Sequence, residues 1–253
     1  MNAIGMKTLL VKEVRRFLKV PGQTVLSPLI STALYFVVFG YSLGGRVNQI
    51  SGIRYVLFIV PGLVFLGLAN NSFLNTSSTL LITKIQGTVV DLLAAPLGPL
   101  ELLFGFIGGG MVRGLLVGLL TWAVASAFTG LHLAHLLATL GFLLLTAYVF
   151  SMLGLLAGLW AEKFEQINFF PTFIMLPLTF LGGVFYSVRA LPQPWQSVSL
   201  FNPIVYMVEG LRFGMLGTSS LSPLFGAGVL LALAVTSTAL AFLALRSGYK
   251  LKV

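Results

Sequence analysis

Apolar residues run along this chain in long unbroken blocks, with the charges gathered between them. There are 26 uncharged residues between Lys19 and Arg46, 29 between Arg54 and Lys84, and 48 between Arg113 and Glu162. A further 23 separate Glu165 from Arg189, and 33 separate Arg212 from Arg246. A helix needs roughly 20 apolar residues to cross a bilayer. The 48-residue run therefore holds two spans, with a break at Thr129-Gly130-Leu131-His132, and the stretch from Leu100 completes the first of them. The pattern predicts six spans, at about 25–43, 55–80, 102–128, 135–160, 167–186 and 223–245. Barrel strands would alternate apolar and polar positions over about ten residues. These runs are continuous, so the expected fold is an all-α polytopic membrane protein.

Three segments fall outside that pattern. Residues 1–24 contain an amphipathic helix at 6–20, with Leu10, Val14, Phe17 and Leu18 on one face and Lys12, Arg15, Arg16 and Lys19 on the other. Such a helix lies in the headgroup layer and is attracted to anionic lipid. It is either an anchor or an elbow that passes motion to the first span. The apolar run after it, about 19 residues, is too long for a signal-peptide core and reads as a retained span. Residues 84–101 form a loop in which Thr88 to Ala95 make two helical turns ended by Pro96. Residues 187–222 are broken by Pro192, Pro194 and Pro203 and carry Gln193, Gln196, Ser197, Ser199 and Asn202. They cannot cross as one helix. They read as short re-entrant helices with Tyr186, Trp195 and Tyr206 as interface aromatics.

Composition sharpens this. Of 253 residues, 57% are hydrophobic and 8% charged, whereas a soluble domain is about a quarter charged. Soluble and disordered classes are both excluded. The net charge of +9 sets orientation here and implies no nucleic acid. With residues 1–24 on one side, that side collects ten Lys and Arg and the other four, with Arg113 inside a span. The ten-residue side is cytoplasmic by the positive-inside rule, so both termini are cytoplasmic.

Candidate chemistry is sparse. The chain has no cysteine and no Gly-Lys pair, hence no P-loop. His132 and His135 lie three apart at a turn without a nearby carboxylate, which disfavours a metal site. The acids Glu13, Asp91, Glu101, Glu162, Glu165 and Glu209 all fall in loops or at span ends, against a proton-coupled carrier. Arg113 is the one charge well inside a span. It is either a functional charge or a side chain that snorkels to the inner headgroups of a helix projecting into the cytoplasm, and the second is the simpler. Asn70, Asn71, Asn75 and Thr76 either line a pathway or bond to neighbouring helices. Gly110, Gly114 and Gly118, with Gly154 and Gly158, let helices pack closely. Glu209 and Arg212 sit three apart and can pair on one helix face.

Several motifs occur in order: Val60-Pro61-Gly62, Asp91-Leu92-Leu93-Ala94-Ala95-Pro96, Gly108-Gly109-Gly110 with Arg113-Gly114, and Pro171-Thr172-Phe173 with Pro177-Leu178-Thr179. They continue through Leu181-Gly182-Gly183-Val184-Phe185-Tyr186-Ser187, Leu191-Pro192 with Trp195, and Asn202-Pro203-Ile204-Val205-Tyr206-Met207 with Glu209-Gly210 and Arg212. In this order and spacing the chain resembles the permease subunits of type-2 ABC exporters, in the subgroup of small six-span bacterial permeases typified by the YadH, NodJ and DrrB proteins. The resemblance implies a single transmembrane domain over 1–253 in the bacterial inner membrane. Two copies would pair with two cytoplasmic ATPase subunits, which would bind ATP and Mg; this chain would bind no cofactor and catalyse nothing. It implies a coupling helix formed by Thr88, Val89, Asp91, Leu92, Leu93 and Pro96, aided by Glu162 and Lys163, and an elbow carrying Lys12, Arg15, Arg16 and Lys19. Candidate pathway or gate residues are Asn70, Asn71, Asn75, Arg113, Phe185, Tyr186, Asn202, Tyr206, Glu209 and Arg212. The expected cargo is amphipathic, lipid-like, a drug or a glycan. A stand-alone carrier or channel, or a membrane scaffold, is the alternative.

Overall fold

The computed structural model describes residues 2–43, 49–50, 52–131 and 133–250. Arg46, His132 and Lys252, which entered the reading above, lie outside them. The elements in order are α1 (Ala3–Leu18), α2 (Ser27–Tyr35) between π-helical turns at Gly22–Leu26 and Phe36–Leu43, and a two-residue hairpin of β1 (Gln49–Ile50) and β2 (Ile53–Arg54). Then come α3 (Tyr55–Ile85), α4 (Val89–Ala94), α5 (Pro99–Thr129) and α6 (Leu136–Trp160). The chain closes with α7 (Phe164–Phe170), a π turn at Pro171–Met175, α8 (Leu176–Phe180), α9 (Gln193–Leu200), α10 (Pro203–Leu216) and α11 (Pro223–Ser247). In the hairpin Gln49 pairs with Arg54 and Ile50 with Ile53.

Local chemistry sets the ends. Pro99, Pro203 and Pro223 open their helices at positions where the missing N–H is not needed. The Asn202 and Ser222 side chains accept from the backbone N–H of Ile204 and Phe225. Gly130, Gly217 and Gly248 close α5, α10 and α11 in the left-handed conformation that suits glycine.

Five helical segments are long and apolar enough to cross a membrane: Gly22–Phe39, α3, α5, α6 and α11. The run expected at 167–186 differs. Helix begins earlier, at Phe164, and continues through segments of seven, five and five residues to Phe180. It stops where Gly182 packs against Ile204 and Gly183 takes φ +69°, so Leu181–Tyr186 are turns rather than the end of a span.

Helix α3 is the hub, with α5, α6 and α10 packed around it. A side chain at Gly114 of α5 would meet the Leu68 carbonyl at 2.8 Å, and one at Gly158 of α6 would meet the Ser77 carbonyl at 2.8 Å. The glycine rows thus bring both helices onto the α3 backbone, as small residues do in lipid, where dispersion rather than water expulsion holds helices together.

The amphipathic helix uses the expected face only in part: Phe17 is buried and Leu10 and Val14 are half-buried. In α1 the buried residues are Leu9, Glu13 and Phe17, while Leu18 is 51% exposed. Its partner is the surface of α5 around Gly105, Gly108 and Gly109, against Leu9, Leu10 and Glu13. A hydrophobicity rule cannot place a carboxylate on a buried face; the α5 glycines and a polar neighbour do so.

Candidate functional site

At the basic end of the bundle, three ties gather the loops. The Asn2 amide N–H donates to Glu101 Oε1 at 2.9 Å, and its side chain donates to the Pro96 carbonyl at 3.2 Å. Lys84, the last charged residue of α3, is buried and donates to the carbonyls of Gly158, Leu159 and Ala161 at 3.3, 2.8 and 2.7 Å. Its three N–H bonds are matched to the orphan acceptors at the C-terminus of α6. Lys250 donates to Glu162 at 2.6 Å and to the Trp160 carbonyl at 3.3 Å. The Lys250 hydrogen bond, then its charge, holds the Glu162 carboxyl below its ordinary range. The same bond raises the Lys250 ammonium.

These ties frame α4. Val89 is buried and Leu92 packs on the core beneath, while Thr88, Asp91 and Pro96 are exposed. Val90 and Leu93 stand out at 66% and 45% exposure. Glu162 and Lys163 are exposed beside them in sequence after α6. The outward apolar pair is therefore Val90 and Leu93, and Val89 and Leu92 hold the helix down. Val90 was not singled out by the sequence; an i, i+3 count on so short a helix does not tell which face is anchored.

The second region lies within the apolar belt. A cleft of about 480 Å³ opens between α2 on one side and the Pro171–Thr179 segment on the other, with α3 as its floor. Its polar lining is Ser27, Ser31, Thr32, Asn70, Asn71, Thr172 and Thr179, with no charged residue. Asn70 is exposed, and Asn71 is buried with its amide donating to the Gly67 carbonyl at 2.9 Å. Asn75 and Thr76 do not reach the cleft lining. Asn75 accepts from Arg16 at 3.1 Å, and Thr76 donates to the Ser72 carbonyl at 3.2 Å. Asn70, Asn71, Asn75 and Thr76 thus divide between a pathway-like surface and helix packing.

Aromatic rings stand at one end of the cleft. Phe185 stacks on Phe39 with centroids 4.9 Å apart and lies 6.2 Å from Tyr35, itself a lining residue. Behind them Arg212 and Glu209, each 2% exposed, form an ion pair. Arg212 donates to the Gly183 carbonyl at 2.8 Å and sits 3.9 Å from the Phe58 ring centre. Glu209 also accepts from Ser219 at 3.1 Å and from the Ser220 amide. The pair fastens α10 to α3, to the turn after α8 and to the loop after α10. Asn202 donates to the Leu178 carbonyl at 2.6 Å. Tyr206 is buried and donates to the Leu200 carbonyl at 2.7 Å, so it is a packing residue and not an interface aromatic. Tyr186 donates to the Phe180 carbonyl at 2.5 Å, and Trp195 is exposed.

The basic face of α1 is also divided. Lys12, Arg15 and Lys19 are exposed. Arg16 turns inward, donating to Glu13 at 3.2 Å and to the Asn75 side chain and Thr79. Thr79 donates to the same Glu13 oxygen at 2.9 Å. Arg113 lies one helical turn beyond Gly109, the residue against which Glu13 packs.

A family model described as ABC-2 type transporter matches residues 5–216. The chain is 40% identical over 227 residues to the inner membrane transport permease YadH of Escherichia coli (strain K12), covering 90% of this chain and 89% of that protein. It is 25% identical to nodulation protein J of Rhizobium meliloti (strain 1021), over 83% of this chain and 79% of the other. A Rhizobium leguminosarum bv. viciae protein of the same description is 24% identical over 77% of this chain.

Proposed function

Taking as premise that the chain belongs to the ABC-2 type transporter family and is a membrane permease subunit of an ABC transporter, we propose that two copies pair with two ATPase subunits and export an amphipathic cargo. Six spans lie in the bacterial inner membrane, the fifth being the 164–180 helical run, with the termini cytoplasmic and α9 and α10 re-entrant from the outside. The observation that carries it is α4. A six-residue helix that turns Val90 and Leu93 to solvent, on a base tied down by Lys84 and Lys250, has the form of a docking peg. Such a pair gains from burial in a cleft of another protein, at about 25 cal/mol per Å² of apolar area. Asp91 on the same exposed surface supplies a charge for register.

In this reading ATP binding closes the ATPase dimer and moves α4, and the tied loops carry that movement to α3, α6 and α11. The cleft between α2 and the Pro171–Thr179 segment receives the cargo, and its uncharged hydroxyls and amides support a cargo with a hydrogen-bonding part. The rings of Tyr35, Phe39 and Phe185 form the outer gate, and the Glu209–Arg212 pair holds α10 behind it.

The test is ATP-dependent transport and ATPase activity in proteoliposomes holding the permease with its ATPase. Val90→Asp and Leu93→Asp are expected to lower both by about tenfold or more while the chain still inserts, because each places a charge in an apolar contact. Leu92→Asp, on the anchored side, should instead lower the yield of folded protein. Unchanged transport in the Val90 and Leu93 variants overturns the assignment of α4.

A further inference from the structure

Helix geometry sets the depth of Arg113. The 31 residues of α5 span about 45 Å at 1.5 Å per residue, against a hydrocarbon core of about 30 Å. Counted inward from Gly130, the core ends near Gly110, about 20 residues along. Arg113 therefore lies about one turn inside the boundary, within reach of the inner headgroups. The equally long α3, counted from Tyr55, places Asn75 at that boundary and Thr79 about one turn beyond it, towards the headgroups.

At that level the charges do not balance. Leu9 packs on Gly105 and Glu13 on Gly109, so the two helices advance together and bring Arg16, three residues after Glu13, and Arg113, four after Gly109, to the same side of the crossing as like charges. Glu13 is the acid of this cluster, and its Oε2 is already taken by Arg16 and Thr79. Arg113 Nε is enclosed without an acceptor, and Glu13 Oε1 is enclosed without a donor, so the two do not meet. Among the described residues no group accepts a hydrogen bond from Arg113, and the half-exposed guanidinium stays free. A guanidinium buried at Nε and open at its fork matches a tetrahedral oxyanion bidentately. Lys12, Arg15 and Lys19 on exposed α1 positions add to the attraction.

We infer that Arg113, flanked by Arg16, holds the phosphate of an anionic phospholipid headgroup where α1 crosses α5. This site is independent of the coupling role of α4. The bound lipid would join the elbow helix to the bundle, and Arg113 would need no counter-ion from the chain.

The experiment is native mass spectrometry of the full chain in mild detergent, with phosphatidylglycerol or phosphatidylcholine added at equal concentration. Retention of one phosphatidylglycerol per chain is expected to exceed that of phosphatidylcholine by about tenfold, because both carry the phosphodiester but the choline cation is set against the charges of Arg16 and Arg113. Arg113→Gln should abolish the preference. Arg113→Lys, which keeps charge but not the fork, should lower it by about threefold, and Lys12→Gln, which removes a neighbouring charge but no contact, should lower it by less than Arg113→Gln does. Millimolar inorganic phosphate should not displace the lipid. Equal retention of the two lipids by the wild type overturns the site, as does an undiminished preference in folded Arg113→Gln or Arg113→Lys. Displacement by inorganic phosphate overturns the lipid as its occupant.

Discussion

Arg212 shows how a single residue organises the far end of the bundle. Its guanidinium meets a carboxylate, a carbonyl and an aromatic face, each from a different segment. Removing one member of a buried pair leaves an uncompensated charge at a cost of about 3–5 kcal/mol. Arg212→Met is therefore expected to lower the thermal unfolding midpoint in detergent sharply, and adding Glu209→Gln to recover much of the loss. A double variant no better than the single one would show that Arg212 acts through Gly183 and Phe58 instead. This pairing was legible in the sequence, because residues three apart on a helix are neighbours on one face. The Glu13–Arg16–Thr79 cluster and the Lys84 cap were not. Their partners lie 66 and 74–77 residues away in the chain, and a charge next to an apolar run looks like the end of a span whether it meets water or a row of carbonyls.

At the scale of elements, apolar run length located α3, α5, α6 and α11 to within a few residues, since 20 apolar residues admit few other solutions. The break in helix across 187–222 was visible through its prolines, but α10 proved to be a buried helix of 14 residues. The helix before it ends at Phe180, not Tyr186, because the Gly182–Gly183 turn is decided by packing against Ile204 and Val188. Phe17 and Leu10 of the buried side of α1 were legible in α1 itself, whereas the burial of Glu13 was set by the glycines on α5. One tie between elements carries a pH dependence. The Glu162 carboxyl is depressed by Lys250, so the link is complete above the ordinary carboxylate value of about 4.3 and is lost as pH falls through the lower, folded value. Lys250 is raised, so the link is lost at the alkaline end only above about 10.4. Amide exchange corrected for its intrinsic pH dependence should show steady protection of the 248–250 turn across neutral pH and loss only in strong acid. Loss of protection between pH 5 and 8 would show that another contact holds the turn.

For the whole molecule, the central feature is a polar cleft in an apolar belt, bordered by helices with little cover. The Gly22–Phe39 span is only 17% buried within the chain, and Phe169, Phe173 and Phe180 are exposed across the cleft. These surfaces suit a second copy, which would complete the pathway that one chain leaves open. The central claim is that this assembly is driven by a separate ATPase gathered at α4. It is tested most directly by isolating the chain from its native membrane in mild detergent and weighing the intact complex. The account predicts two permease chains with two copies of a P-loop ATPase, lost together in Val90→Asp. A folded, oligomeric permease with no such partner at any stage of isolation would contradict it.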